Sequence, residues 1–361
     1  MLLAAITVAF VLTVSVMFVV FPFAKRIGLI DAPGGRKKHD GSVPVIGGLA
    51  MLFGTAIGLY LIAPPMGGFV SALLAGSLLV VIGAIDDRST LATSFRFITQ
   101  ISVILIMIFG ANLQIKNIGD PFGIGLITMG DYGVIFTVIA ALTTINAYNL
   151  IDGMDGLAGL MVLIALLAIA SVAGIQHLFG AAALIAASSI VGFLLFNFPV
   201  KKQRRMRSFM GDAGSTLLGL TVVWVTLGAS QGAYPVISPV HCLWFIAVPI
   251  FDCLACFIKR VRKHRSPFMP ARDHAHHILL RGRFSVRGTV AILVGTQLFY
   301  AIVGVTGHFT GVPDVVMFVA WSIAGLSHRI IIGKIAKSSR LRKINEAKRR
   351  SLARKIKTVG T

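Results

Sequence analysis

The chain has 361 residues, of which 56% are hydrophobic and 13% charged, with a mean hydropathy of +0.87. This composition excludes an ordinary soluble domain and a disordered chain. Lys and Arg outnumber Asp and Glu by 34 to 13, which gives a formal net charge of +21. A net charge of that size can indicate a nucleic-acid partner. Whether it does so here depends on where the basic residues lie along the chain.

Apolar runs long enough to cross a bilayer recur along most of the chain. The sequence predicts about eleven spans, at 1–24, 44–64, 68–86, 95–112, 131–150, 157–175, 180–198, 212–229, 239–259, 286–306 and 313–333. The loops between them are too short for a separate domain. We therefore expect an all-α integral membrane protein, with a polytopic catalytic domain at 1–333 and a basic tail at 334–361.

The basic residues lie almost entirely on one predicted side of the membrane. If the N-terminus is outside, every Lys and Arg except Lys116 falls in inner loops, in the tail or at the adjoining helix ends. Such asymmetry follows the positive-inside rule, which predicts that this side and the C-terminus are cytoplasmic. The distribution explains the net charge without nucleic acid, and the tail is expected to be solvated or to bind lipid headgroups.

Four polar side chains recur every third residue where the fifth and sixth spans meet. They are Asn146, Asn149, Asp152 and Asp155. On a helix, neighbours three apart lie on adjoining parts of one face. Oxygen ligands at the edge of an apolar segment suit a hard cation such as Mg²⁺ and a phosphorylated ligand. A polar seam between helices is the alternative, although ionisable groups near membrane depth favour a working site.

Three further acidic residues, Asp86, Asp87 and Asp212, fall on the same side. The third span ends in Asp86 and Asp87, which could ligate a metal, supply a general base or merely stop the helix. Arg96 opens the next span and could bind phosphate. Asp212, between two glycines, begins the eighth span, where free backbone N–H groups favour phosphate and the carboxylate could hold a metal. A plain helix cap is the alternative for Asp212.

Two inner loops carry further candidates. The first, around Lys38, is basic and contains a Pro/Gly turn, so it could hold a diphosphate or simply orient the chain. The loop at 259–285 contains Arg260 and an HxHH pattern that could bind zinc. Its arginines favour a nucleotide or phosphate instead. Cys253 and Cys256 are predicted to be packing residues.

Four motifs in this order resemble those of the polyprenyl-phosphate N-acetylhexosamine-1-phosphate transferases. They are Asp86-Asp87, Asn146-x-x-Asn149-Leu-x-Asp152-Gly-x-Asp155-Gly-Leu, Phe209-Met-Gly-Asp212-Ala-Gly-Ser215 and Asp273-His274-x-His276-His277. The resemblance extends from the first inner loop to the eleventh span. Gln231-Gly, Ile237-Ser-Pro239, Ser266-Pro-Phe and the histidine loop are most similar to the bacterial branch that uses undecaprenyl phosphate and GlcNAc.

The resemblance implies a reaction at the cytoplasmic face of a bacterial inner membrane, with the N-terminus periplasmic. Undecaprenyl phosphate attacks the β-phosphorus of UDP-GlcNAc and UMP leaves, either directly or through an aspartyl phosphate. Mg²⁺, for which Mn²⁺ could substitute, would neutralise the diphosphate. This reaction would be the first membrane step of an O-antigen or enterobacterial common antigen type of polysaccharide synthesis.

The family pattern also assigns roles to residues. Asn149 and Asp212 would hold the metal. Asp86 or Asp87 would deprotonate or orient the lipid phosphate, and Asp152 and Asp155 would shape the sugar-nucleotide pocket. The expected substrate contacts are Lys38, Arg96, Asn146, Arg260, His274, His276 and His277.

Two alternatives stay open at the level of sequence. The same reaction could use another UDP-N-acetylhexosamine. A secondary transporter also carries intramembrane acids and helices interrupted by glycine, although here the acids gather near the inner helix ends and no half of the chain repeats the other. The sequence leaves the oligomeric state open, with a homodimer allowed.

Overall fold

The computed structural model describes residues 1–31, 42–62, 67–198, 206–264 and 273–359, with side chains as far as residue 338. Its helices are α1 (Leu2–Val20), α2 (Gly47–Tyr60), α3 (Gly67–Arg88), α4 (Thr93–Ala111), α5 (Gly133–Ile151), α6 (Leu157–Ala173), α7 (Leu178–Asn197), α8 (Gly211–Gln231), α9 (Pro239–Phe245), α10 (Ala247–Val261), α11 (Ala275–Arg281), α12 (Val286–Phe309) and α13 (Asp314–Val359). Two short strands, β1 (Ile30–Asp31) and β2 (Val43–Pro44), pair antiparallel. The predicted all-helical polytopic bundle is confirmed.

Every predicted apolar run corresponds to helix, but the helices differ in length. Eight in the described part of the chain are long and apolar enough to cross a membrane. The bent pair α9 and α10 would add one more span. The apolar helices α2 and α6 are shorter, with 14 and 17 residues. The number of crossings and the side of the N-terminus therefore stay predictions.

The centre of the bundle is formed by α6 and α8, while lipid-facing residues lie on outer helices. Leu157 and Met161 of α6 are fully buried, because α7, α8 and α12 pack around that helix. On the perimeter, Ile139, Ile302 and Ile323 are each more than half exposed. Because other helices surround α6, this 17-residue helix does not have to match the thickness of the hydrocarbon core by itself.

The ninth predicted span is wrong as a continuous helix, because α9 and α10 meet at Ile246 with a bend of 85°. Pro249 explains the break: it has no N–H for the carbonyl of Phe245 and its ring would clash with that oxygen. The buried Gln297 satisfies the freed groups. Its Nε2 donates to the Phe245 carbonyl at 2.8 Å, and its Oε1 accepts the Val248 N–H at 2.9 Å. Non-helical backbone at membrane depth needs such partners.

Residues 113–131, between α4 and α5, form a glycine-containing hairpin. Asn117 pairs antiparallel with Thr128. Gln231, at the C-terminal end of α8, accepts the backbone N–H groups of Lys116 and Asn117 at 2.9 and 3.2 Å. This hairpin therefore covers the end of the bundle opposite to the one where α8 begins.

Candidate active site

Four helix ends meet at the end of the bundle where α8 begins. They are the C-terminal ends of α3 and α5 and the N-terminal ends of α4 and α8. Gly83 allows α3 to approach α8 closely, since a Cβ at this position would collide with the backbone of Ala213. The contact brings the Asp86-Asp87 pair of α3 beside Asp212 of α8, as the predicted sidedness requires.

Asp87 caps α8 from a different helix. Its Oδ1 accepts the Asp212 N–H at 2.9 Å and its Oδ2 accepts the Ala213 N–H at 3.4 Å. Gly211, with φ of +69°, lies against this carboxylate, and a Cβ there would collide with Oδ2. The expectation that these amides are free for phosphate is therefore wrong, because a carboxylate already satisfies them and the helix dipole.

Asp86 and Asp212 share the guanidinium of Arg96. Asp86 is buried, and its Oδ1 accepts the Leu91 N–H at 2.6 Å. Arg96 Nη1 lies 3.2 Å from Asp86 Oδ2 and 3.6 Å from Asp212 Oδ2. The cation offsets the repulsion between the two carboxylates. With its side chain 37% exposed, Arg96 is also accessible to a ligand.

Asn149 and Asp212 form a compact set of oxygen donors. Asn149 Nδ2 donates to Asp212 Oδ1 and to Ser215 Oγ, both at 2.9 Å. In that orientation the carbonyl oxygen of Asn149 is left for a ligand. Hard oxygen donors from two side chains fit Mg²⁺, which takes few protein ligands and completes its shell with water and substrate phosphates.

The loop between α5 and α6 holds two carboxylates in different surroundings. Burial, together with the charges of Asp212, Asp155 and Asp87, raises the pKa of Asp152 to about 8. Asp155 instead forms an ion pair with Arg207, whose Nη2 lies 2.6 Å from Asp155 Oδ2. Asp152 can therefore exchange a proton near neutral pH, whereas Asp155 ties this loop to the segment that leads into α8.

His274 is held between two side chains of α10. Its Nδ1 lies 2.8 Å from Asp252 Oδ2, and its Nε2 lies 3.4 Å from Arg260 Nη2. Arg260 also donates to Asp273 Oδ1 at 3.2 Å. Burial opposes ionisation of Asp273, but hydrogen bonds from Arg260 and Lys259 lower its pKa overall. His274 is 3% exposed, so it acts through these neighbours in this conformation.

The other two histidines of the motif differ in exposure. His276 is buried against Gly153, where a Cβ would collide with His276 Nε2. Burial, and then the charge of His277, lowers the pKa of His276 to about 3, so this ring is neutral at physiological pH. Its centroid lies 4.1 Å from that of His277, which is partly exposed. His277 is therefore the better placed of the two for a phosphate.

A cavity of about 660 Å³ joins the acidic cluster to α10. Its polar lining includes Asp86, Arg96, Asn146, Asn149, Asp212 and Arg260, and its apolar lining includes Leu79, Ile82, Ile139, Leu142, Leu254 and Phe257. Ile139 and Phe257 are 58% and 45% exposed at the perimeter. The cavity thus combines a charged end with a wall that continues to the lipid-facing surface, and it suits an amphipathic ligand.

Comparisons with known proteins agree with this geometry. The model of glycosyl transferase family 4 matches residues 69–230. Three similar proteins are each named undecaprenyl-phosphate alpha-N-acetylglucosaminyl 1-phosphate transferase. That of Yersinia pestis is 32% identical, and that of Escherichia coli O157:H7 34%, each over 94% of this chain and 93% of the relative. That of Pasteurella multocida (strain Pm70) is 33% identical over 82% and 84%.

The chain belongs to glycosyl transferase family 4. The resemblance inferred from the four motifs is thereby confirmed. This family-4 transferase is a polytopic membrane enzyme, since its apolar helices and its relatives agree. The individual site roles stay predictions.

The structure of this family-4 transferase gathers most of the predicted site. Asn146 lines the cavity and donates to Gln100 Oε1 at 2.8 Å. Lys38 lies outside the described residues. Sequence reasoning assigned no role to Asp252 or Arg207. An acid inside an apolar span was a usable signal for Asp252, whereas Arg207 was hidden in a run of basic residues.

Proposed function

We propose that this protein transfers GlcNAc-1-phosphate from UDP-GlcNAc to undecaprenyl phosphate, giving undecaprenyl-diphosphate-GlcNAc and UMP. The observation that carries the proposal is the cavity, with oxygen ligands and a cation at one end and an apolar wall that reaches the perimeter. A lipid phosphate could place its chain along that wall and its head among the charged groups. The names of relatives that match 94% of the chain support the same substrates.

In the proposed reaction, an oxygen of the lipid phosphate attacks the β-phosphorus of UDP-GlcNAc. The bond from that phosphorus to the bridging oxygen breaks, and UMP leaves with this oxygen. Asp152, whose pKa of about 8 suits a base near neutral pH, accepts the proton of the lipid phosphate. Arg96 binds the phosphate oxygens. Direct attack is favoured over an aspartyl phosphate at Asp87, because both of its oxygens accept N–H groups of α8.

Asn149 and Asp212 are proposed to hold Mg²⁺, which Mn²⁺ could replace. When bound, the ion would neutralise the diphosphate and the charge that develops on UMP. Asp86 contributes by holding Arg96 beside these ligands. Asp155 contributes by fixing the loop that carries Asp152.

The distribution of basic residues supports a site on the cytoplasmic face of the bacterial inner membrane. Sugar nucleotides are made in the cytoplasm, so this side also suits the donor. The product would then serve as the first lipid-linked sugar of an O-antigen or enterobacterial common antigen type of polysaccharide.

UMP release by the purified protein in detergent tests the proposal. Undecaprenyl phosphate and Mg²⁺ are combined separately with UDP-GlcNAc, UDP-GalNAc and UDP-MurNAc-pentapeptide, with and without EDTA. We expect lipid-dependent, EDTA-sensitive release with UDP-GlcNAc. Release with another donor alone would move the protein to a different branch. No release from folded protein would contradict the enzyme and favour the transporter.

The Asp212→Asn variant tests the metal assignment. Loss of a carboxylate ligand should lower kcat at least about 100-fold, because the ion supplies several kcal/mol of charge stabilisation. Asp131→Asn, which changes an exposed carboxylate beside the hairpin end of the bundle, should keep wild-type turnover. Normal, EDTA-sensitive turnover by Asp212→Asn would disprove its role as a metal ligand.

A further inference from the structure

Asp252, His274 and Arg260 form a buried cluster of ionisable side chains where α10 meets the start of α11. The proposed reaction does not use this cluster. Asp252 of α10 is 5% exposed. Its Oδ2 lies 2.8 Å from His274 Nδ1, and its Oδ1 accepts the Ala275 N–H at 2.7 Å. A carboxylate inside an apolar helix is costly unless its oxygens are paired. Asp252 therefore holds both the His274 ring and the start of the helix that carries His276 and His277.

The carboxylate determines which nitrogen of His274 carries the proton. An ionised Asp252 can only accept, so Nδ1 of His274 is the donor. Nε2 is then the acceptor, and it faces Arg260 Nη2 at 3.4 Å. The result is a continuous line of hydrogen bonds from Asp252 through His274 to Arg260. Carboxylates behind metal-binding histidines orient the imidazole ring in the same way.

A metal site is the competing interpretation of this cluster. Asp252, Cys256 and His274 offer three potential ligand atoms within 4.8 Å of one another. The hydrogen bonds oppose this interpretation, because both oxygens of Asp252 are already paired, Oδ2 with His274 Nδ1 and Oδ1 with the Ala275 N–H. The buried guanidinium of Arg260 on the other nitrogen of His274 would also repel a cation.

The far end of this line reaches the proposed active site. Arg260 is 6% exposed to solvent but lines the same cavity as Asp86, Asn149 and Asp212. A guanidinium on a cavity wall is suited to phosphate oxygens, and its use depends on orientation because its donors form a rigid fork.

We propose that Asp252 is a positioning residue that acts through His274 to orient Arg260 towards the phosphate of a substrate. The inference rests on the proposed function. Two substrates carry phosphate, the sugar nucleotide and the lipid, and the chemistry of recognition is the same for both. Separate titrations of the two substrates identify which one Arg260 holds.

The test is the kinetics of Asp252→Asn in the UMP-release assay. The amide has the volume of the carboxylate but can donate to His274 Nδ1, which moves the ring proton to Nε2 and directs an N–H at Arg260. We expect KM for one substrate to rise about ten-fold, while kcat and KM for the other change less than about two-fold. Arg260→Gln should raise the same KM. In the double variant the Asp252→Asn change should add nothing, since the two residues act in one line.

Asp314→Asn provides a matched control. Asp314 is a carboxylate whose side chain is only 16% exposed, at the hairpin end of the bundle. It accepts hydrogen bonds from Ser238 Oγ at 2.8 Å and from the Asp120 N–H at 2.9 Å. Its loss should lower thermal stability and leave both KM values unchanged. Where Asp252→Asn does not give a monodisperse protein in detergent, His274→Gln takes its place, because it cuts the same line and leaves the bond from Asp252 to the Ala275 N–H.

Three outcomes would overturn the positioning role. The first is that folded Asp252→Asn has wild-type KM values for both substrates. The second is that both KM values rise equally in this variant. The third is that the effects of Asp252→Asn and Arg260→Gln on KM multiply in the double variant. A failure of the proposed function is seen separately, as absence of turnover in the wild type.

Discussion

The carboxylates of the candidate site have different partners, and the partners set their chemistry. Asp87 accepts hydrogen bonds from the first amides of α8, and Asp86 accepts them from Arg96 and from a backbone N–H. Asp152, in contrast, has a pKa raised to about 8. The motifs predicted which acidic residues form the site. They could not predict the different role of each carboxylate, because its hydrogen-bond or ion-pair partner lies on another helix or loop.

The pKa of Asp152 predicts the pH dependence of the reaction. A base must be deprotonated, so kcat/KM should rise with pH by up to about ten-fold per unit below pH 8 and level off above it. A cation bound at Asp212 would move the midpoint lower. In Asp152→Asn the rate should be lower and this rise should disappear. A pH profile at fixed Mg²⁺ measures both, and a variant that keeps the wild-type profile would exclude Asp152 as the base.

At the scale of elements, the ends and breaks of helices position the residues of the candidate site. The length and apolar character of each run predicted a helix, and the described chain is helical in every run, although the ninth run is broken into α9 and α10. Pro249 was a readable signal for the break between α9 and α10. Its partner was not readable, because Gln297 lies 49 residues from Val248 and is brought there by packing.

Gly211 should be indispensable for the junction of α3 and α8. An alanine would be strained by φ of +69° and would collide with Asp87 Oδ2 and Val45 Cγ1. The αL strain alone costs about 1–2 kcal/mol, so Gly211→Ala should lower both thermal stability and turnover. Gly295→Ala is the control, since a Cβ there meets no atom within 4 Å. If the two variants behaved alike, the tight contact with Asp87 would be in doubt.

Replacing Gln297 should destabilise the break in the ninth span. Gln297→Leu leaves the Val248 N–H and the Phe245 carbonyl without their partner, at about 1–3 kcal/mol for each buried group. Thr296→Val changes the neighbouring residue, whose hydroxyl bonds within its own helix and is exposed. Thermal unfolding in detergent should show a clear loss for Gln297→Leu and little change for Thr296→Val. Equal thermal stabilities of the two variants would show that Gln297 does not stabilise the break between α9 and α10.

At the scale of the whole molecule, the charge asymmetry and the fold give a consistent arrangement. All four motifs were expected on one face, and in the structure their described residues gather at one end of the bundle. The helix α13 continues from Asp314 to Val359 through the predicted domain boundary after residue 333. Hydropathy could not foresee this, because it records where an apolar run ends and not where a helix ends.

Cysteine labelling should establish the orientation. In a variant that lacks Cys242, Cys253 and Cys256, Ile124→Cys on the hairpin should react with an impermeant maleimide in intact spheroplasts, because Ile124 is 77% exposed. Lys263→Cys, on a basic loop, should react only after the membrane is opened. The reverse pattern would place the active site outside and contradict the account.

The most direct test of the central claim follows the β-phosphate of the donor. UDP-GlcNAc labelled with radioactive phosphorus at that position is incubated with purified protein, undecaprenyl phosphate and Mg²⁺. We predict that the label enters the organic-extractable lipid in equal amount to the UMP released. Label that remains in the aqueous phase as UDP while the sugar reaches the lipid would contradict phosphosugar transfer, and so would no transfer at all by folded protein.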